Sequence, residues 1–153
     1  GMYYRRLDYS KMVKGRHPIA AYEFLGPKLE GKDVILIDDM ISSGKSILEI
    51  ASLLKKRGAG KIFICTTFGL FTEGMEKFDE AYQNGIFDKL LTTNLVYQTP
   101  ELLSKPYYIT CDMSKYIALI IDTLNHDMSV SHLLNPADRI KRCVNNYMAQ
   151  YEK

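Results

Sequence analysis

The sequence predicts an α/β fold built on a parallel sheet, and three observations carry that prediction. Short, almost wholly apolar runs rich in β-branched residues recur, beginning with Val34-Ile35-Leu36-Ile37 and Ile62-Phe63-Ile64-Cys65. Between such runs lie segments whose apolar residues return at helical spacing. Gly58 and Gly85 close those segments, as glycine does where a helix ends in a left-handed residue. Apolar strands alternating with helices are the pattern of parallel strands joined by helical crossovers.

Taken in order, the first 30 residues stand apart. Tyr3, Tyr4, Arg5, Arg6, Tyr9, Lys11, Lys14, Arg16 and His17 form a basic, tyrosine-rich segment without a sustained period. Pro18, Gly26 and Pro27 punctuate it, so residues 1–30 read as an extended arm or loop. Gly1-Met2 reads as a cleavage scar and stands outside the fold argument. Val34–Ile37 reads as a strand covered on both faces. Ile47, Ile50, Ala51 and Leu54 then mark a helix that stops at Gly58. Ile62–Cys65 is a second strand, 74–84 a helix, 87–92 a third strand and 107–109 a fourth. Ile117, Ile120, Ile121 and Leu124 share one face of a helix over 114–126. The tail reads as a final helix, which divides the chain into an arm (1–30), a domain (31–135) and a helical extension (136–153).

Composition narrows the function classes. Twenty basic against 18 acidic residues leave a net charge of +2, too even for a nucleic-acid footprint. No uninterrupted apolar stretch reaches the ~18 residues of a membrane span. Cys65, Cys111 and Cys143 are odd in number and far apart, with no metal-ligand spacing. That usage favours a reducing compartment, and a cytoplasmic location is expected. Cys65 and Cys111 fall in apolar runs, where cysteine acts as a small hydrophobe. His17, His126 and His132 have no mutual spacing that suggests a triad or metal site.

The chemistry is concentrated after the first apolar strand, in Ile37-Asp38-Asp39-Met40-Ile41-Ser42-Ser43-Gly44-Lys45-Ser46. In open α/β sheets ligands bind beyond the carboxyl ends of strands, where loops enter helix N-termini. Small residues at Ser42, Ser43, Gly44 and Ser46 let backbone N–H groups approach an anion, the hydroxyls add donors, and Lys45 adds charge. Gly44-Lys45-Ser46 is not a P-loop: that pattern requires a glycine where Asp39 stands, and a carboxylate there repels a triphosphate. Asp38 and Asp39 instead offer acceptors for a vicinal diol, or ligands for Mg²⁺, just before a phosphate cradle. For either acid alone a solvated strand end is the simpler reading; for the whole string a phosphorylated-sugar site is favoured.

This string resembles the phosphoribosyl-pyrophosphate (PRPP) binding motif of the type I phosphoribosyltransferase fold. Thr66-Thr67-Phe68-Gly69-Leu70-Phe71, the segment Asn125–Leu134 with its Ser129-Val130-Ser131 core, and Tyr4-Arg5-Arg6 are similar to features of the ribose-phosphate pyrophosphokinase family. The resemblance spans residues 3–134 and implies a parallel sheet with helices on both faces. It also implies that Asp38 and Asp39 bind the ribose hydroxyls of ribose 5-phosphate and Mg²⁺. Ser42, Ser43, Gly44, Lys45 and Ser46 then wrap the 5-phosphate, and Arg5 and Arg6 act on the transferring diphosphoryl group. The implied reaction is attack of the ribose C1 hydroxyl on the β-phosphorus of ATP, the co-substrate, with AMP leaving. The implied assembly is a homo-oligomer, without nucleic-acid or membrane partners. Only the second of the family's two homologous halves is matched, so the expected isolated chain binds sugar phosphate and does not turn over. Tyr4 and Ser42 stand where the family carries a lysine and an acid. They motivate an alternative, a non-catalytic relative that regulates or partners the synthetase. A type I phosphoribosyltransferase is a third reading, which the Ser129–Leu134 segment disfavours.

Overall fold

In a computed structural model the described residues are 1–7, 10, 12 and 19–151. The chain divides into two compact units, Gly1–Cys111 and Asp112–Lys153. Tyr9, Lys11, Lys14, Arg16, His17 and Pro18 of the basic segment lie outside the described residues.

The first unit opens with β1 (Met2–Leu7) and β2 (Ile19–Leu25). These strands pair antiparallel from Met2 opposite Leu25 to Leu7 opposite Ile19, with an irregularity between Arg6 and Leu7. The expected arm or loop is therefore a two-stranded ribbon. Its regularity comes from cross-strand pairing, which a search for one segment's own period does not detect.

The parallel sheet follows as β3 (Val34–Ile41), β4 (Ile62–Gly69), β5 (Lys89–Thr93) and β6 (Tyr108–Cys111), in spatial order β3-β4-β5-β6. All three pairings are parallel. The crossovers carry α1 (Lys45–Lys56), α2 (Glu76–Gln83) and the short α3 (Pro100–Ser104). Helix α3 is absent from the sequence expectation, although its start is written there. The Thr99 hydroxyl accepts from Leu102 N at 3.2 Å, and Pro100 occupies the first turn.

Strands added in one direction across a sheet, with crossovers of the usual hand, bring their helices to one face. The core shows that arrangement. Ile62, Ile64, Leu90 and Tyr108 from the strands pack with Ile47, Ala51 and Leu54 of α1, Phe78 of α2 and Leu102 of α3. Around Phe78 the rings of Phe71 and Phe87 meet it edge-on, with centroids 5.3 and 6.4 Å away. The alternate positions are less covered in this unit: Ile35 is 65% exposed and Ile37 83%. The strand Val34–Ile37 thus alternates in burial, against the expectation of cover on both faces. Gly58 has φ +82° one residue beyond the α1 cap and donates to Lys55 O at 2.9 Å, as a helix-ending glycine does.

The second unit holds α4 (Ser114–Asn125), α5 (Ser131–Leu134) and α6 (Ala137–Tyr151). The Leu133 carbonyl organises it, accepting from Tyr116 OH at 2.5 Å and Arg139 Nη2 at 2.6 Å. The Arg139 guanidinium lies 5.0 Å from the Tyr116 ring centre. Among the described residues no helix is long and apolar enough to cross a membrane.

Candidate functional site

Strand β3 runs further than its apolar run, so Asp38 and Asp39 are strand residues rather than loop residues. Both are exposed at its carboxyl end. The chain then turns through Ser42, Ser43 and Gly44 into α1. Gly44 has φ +78° and is buried. A Cβ on it would stand 2.2 Å from the ring of Phe78, which is itself fully buried. Backbone conformation and available space therefore both demand glycine here.

Two backbone bonds hold this turn against the segment after β4. Leu70 N donates to Ile41 O at 2.8 Å and Thr72 N donates to Ser42 O at 3.0 Å. The Ser42 and Thr72 hydroxyls are 3.4 Å apart. Phe71 stands between those two donors with φ +46°, a conformation unusual for a bulky residue. Its ring packs against Phe78 and Tyr108, which hold it in place.

No side chain caps the α1 N-terminus, and Lys45 N reaches Ser43 Oγ only at 3.5 Å. The opening N–H groups of α1 and the positive end of its dipole are thus left for an anion. Asp38, Asp39, Ser42, Ser43, Gly44, Lys45 and Ser46 all line one cavity of about 270 Å³, together with Met40, Ile41 and Ile47. That is near the lower bound of small-molecule pockets, roughly 300 Å³. A larger groove of about 680 Å³ lies between the outer sides of α1 and α2 and shares Lys45. It is away from the strand ends and brings no set of reactive groups together, so the smaller cavity is the better site.

Electrostatics around the cavity are shaped by α2. The Lys77 ammonium beside Glu73, with a smaller contribution from Lys45, holds the Glu73 carboxyl below the usual carboxylate range. The neighbouring strand ends are occupied by their own bonds. Thr93 Oγ1 donates to Thr67 O at 2.6 Å, and Thr92 Oγ1 and Tyr108 OH are 2.5 Å apart. Gln98 Nε2 donates to Tyr108 OH at 2.7 Å, and burial pushes the Tyr108 phenol up. Thr66 is buried, its hydroxyl 3.4 Å from Phe68 O. Burial also pushes the Cys65 thiol up, which makes it a poor nucleophile.

Arg5 and Arg6 fall on β1, where the backbone sets them opposite Tyr22 and Ala21. Their side chains lie outside the described part of the structure. Sequence reasoning missed Thr72 and Phe78, which position the turn without belonging to its string. The only local hint of Thr72 is its place in the connection that follows the second apolar strand.

A family profile described as phosphoribosyl synthetase-associated domain matches residues 10–135. The chain belongs to that family. This phosphoribosyl synthetase-associated chain is 26% identical over 107 residues to a ribose-phosphate pyrophosphokinase of Vibrio parahaemolyticus, covering 70% of this chain and 33% of that protein. To the ribose-phosphate pyrophosphokinase of Thermococcus kodakarensis it is 36% identical over 93 residues, 59% of this chain and 31% of the relative. Among solved structures, phosphoribosylpyrophosphate synthetase from Mycobacterium smegmatis superposes with a TM-score of 0.62 at 22% identity, over 72% of this chain and 35% of that one. That likeness shows the fold, a type I phosphoribosyltransferase-like α/β fold with a parallel sheet. The phosphoribosyl synthetase-associated chain spans about a third of the length of these curated relatives.

Proposed function

We propose that this chain is the ribose 5-phosphate- and PRPP-binding C-terminal half of a ribose-phosphate pyrophosphokinase. The observation that carries the reading is the single cavity in which Asp38, Asp39 and the whole Ser42–Ser46 turn meet at the uncapped start of α1. Ser43, Gly44, Lys45 and Ser46 receive the 5-phosphate on backbone N–H groups, hydroxyls and one ammonium. Asp38 and Asp39 accept from the ribose hydroxyls and fix the sugar's orientation.

The donor set suits Mg²⁺. Among the described residues no cluster of three or more metal-ligating side chains exists. Two adjacent carboxylates are what Mg²⁺ uses when substrate oxygens and water complete its shell. Asp38 and Asp39 would hold the ion, which would offset phosphate charge.

In the complete enzyme the C1 hydroxyl oxygen bonds to the β-phosphorus of ATP, the bond from that phosphorus to the α-phosphate oxygen breaks, and AMP leaves. Arg5 and Arg6 stabilise charge on the moving diphosphoryl group. This chain by itself binds the sugar phosphate and does not turn over, acts in the cytoplasm, assembles as a homo-oligomer, and takes no nucleic acid or membrane as partner.

One observation favours a second reading, a non-catalytic relative of the synthetase. Ser42 carries no charge, and its hydroxyl stands 3.4 Å from that of Thr72.

Calorimetric titration with Mg²⁺ tests both. Binding of ribose 5-phosphate but not ATP, lost in Asp39→Ala, is the expected result. Absence of ribose 5-phosphate binding overturns the proposal and leaves the non-catalytic reading.

A further inference from the structure

The two backbone bonds that hold the turn after β3 impose a geometric requirement. Leu70 N reaches Ile41 O at 2.8 Å and Thr72 N reaches Ser42 O at 3.0 Å. The acceptors belong to adjacent residues, whose Cα atoms are about 3.8 Å apart. The donors belong to alternate residues, which an extended segment would hold about 7 Å apart. An extended strand also sends successive carbonyls to opposite sides. Both bonds therefore form only where the chain bends on each side. On the β3 side the bend is the turn into α1. On the β4 side it is Phe71, whose φ of +46° makes it the left-handed residue of the segment Gly69–Thr72.

A residue with a Cβ avoids that conformation, and strain of this kind persists where the surroundings impose it. Here they do. The Phe71 ring meets Phe78 and Tyr108 edge-on, with centroids 5.3 and 6.5 Å away. It also lies against Gly69, where a Cβ would stand 2.5 Å from it. Tyr108 is fixed in turn by Thr92 and Gln98. A peptide unit is planar and trans, so its N–H points opposite to its C=O. Holding Ile41 O and Ser42 O on the β4 side directs the N–H groups of Ser42 and Ser43 to the other side of the turn. Both residues line the cavity.

We propose that Phe71 is a positioning residue for the phosphate cradle. Its clamped ring holds a left-handed backbone that fixes the carbonyls of Ile41 and Ser42, and thereby aims the Ser42 and Ser43 N–H groups at the bound phosphate. This role rests on the reading of the cavity as the 5-phosphate site. Ring and backbone make different demands, which separates positioning from simple packing. Phe71→Ala loses the ring and keeps the Cβ, so the segment relaxes out of the left-handed region. Phe71→Gly loses the ring too, but enters that region freely.

Calorimetric titration with ribose 5-phosphate should show a dissociation constant raised about tenfold in Phe71→Ala, and one within about threefold of wild type in Phe71→Gly. Both variants lose stability in urea, so rescue by glycine is a result that space-filling alone does not produce. Glycine binding no tighter than alanine, or alanine binding like wild type, overturns the proposal. Amide NMR spectra of the ligand-free chain are the second measurement. The Ser42–Ser46 signals should move in Phe71→Ala and return in Phe71→Gly, and signals that stay in place overturn the proposal equally. A wild type that binds no ribose 5-phosphate defeats the functional reading of the cavity, and the amide signals then decide the positioning role by themselves. If neither variant folds, Phe71→Leu takes their place in both measurements. It keeps most of the volume and the Cβ and should loosen the turn as alanine does; a turn and an affinity left unchanged by it overturn the proposal.

Discussion

Asp79 on α2 has both carboxylate oxygens engaged, with Lys105 Nζ donating to Oδ2 and Tyr107 OH to Oδ1, each at 2.7 Å. Asp38 and Asp39 at the end of β3 face a cavity instead. Among the described residues the bond given to their side chains is Asp39 N onto Asp38 Oδ1 at 3.0 Å. Both regions set acid beside a helix in the same unit, and they use it differently. Partial burial works against the Asp79 charge, but the hydrogen bonds from Lys105 and Tyr107 and the Lys105 charge outweigh it and hold its carboxyl low. That acid is committed to tying α2 to the segment before β6. The β3 acids, left to solvent beside an uncapped helix start, remain available to a ligand. A carboxylate's partners within the protein thus distinguish a structural role from a binding one.

The largest expected effect breaks the buried support beneath the cavity. Phe78→Ala should cost about 3–5 kcal/mol by urea unfolding, because it empties a fully enclosed site packed by the rings of Phe71 and Phe87 and by Gly44. Gly44→Ala should follow, at about 2–4 kcal/mol, from a strained φ and a clash with a ring that has no room to move. The same variant should abolish ribose 5-phosphate binding in a titration. If Gly44→Ala binds normally, the turn does not contact the phosphate.

Tyr107→Phe removes one donor from Asp79 and should cost about 1–3 kcal/mol at neutral pH. Its pH dependence sharpens the contrast. The Asp79 carboxyl is lowered from 3.8 in the folded chain. Its stabilisation is therefore complete above that unfolded value and disappears as the pH falls through the lower folded one. The gap between wild type and Tyr107→Phe should narrow over that acid range in denaturation curves. A gap that is constant down to the acid limit would detach Tyr107 from the charge on Asp79.

The smallest stability change belongs to the site itself. Asp39→Ala should move unfolding by less than about 0.5 kcal/mol while removing most sugar-phosphate affinity. A large destabilisation there would return Asp39 to a structural role.

Much of the fold was legible because its causes are local. Apolar β-branched runs became β3 and β4, the helical spacing of Ile47, Ala51 and Leu54 became the buried face of α1, and Gly58 ended it. The string Asp38–Ser46 was legible as a unit for the same reason: a strand end, a small-residue turn and a helix start are consecutive. The β1–β2 ribbon was not legible, because its regularity lies in the pairing of Tyr4 with Glu23 and their neighbours across an intervening segment. Nor was the exposure of Ile35 and Ile37. An apolar run looks the same on a sheet's edge as in its middle.

By itself the sequence determined that two acids, a small-residue turn and a helix start follow one another, and the order of strands and helices around them. Near-neighbour sterics and side-chain period act within a few residues. Only the tertiary structure decided that Gly44 must be glycine, since the ring that forbids a Cβ comes from Phe78 on another helix. It also decided that Thr72 braces Ser42 from 30 residues away, and that Ile35 and Ile37 are exposed while Ile62 and Ile64 on the neighbouring strand are buried. Those outcomes depend on which distant segments meet, and that is settled by the packing of the whole unit around one core.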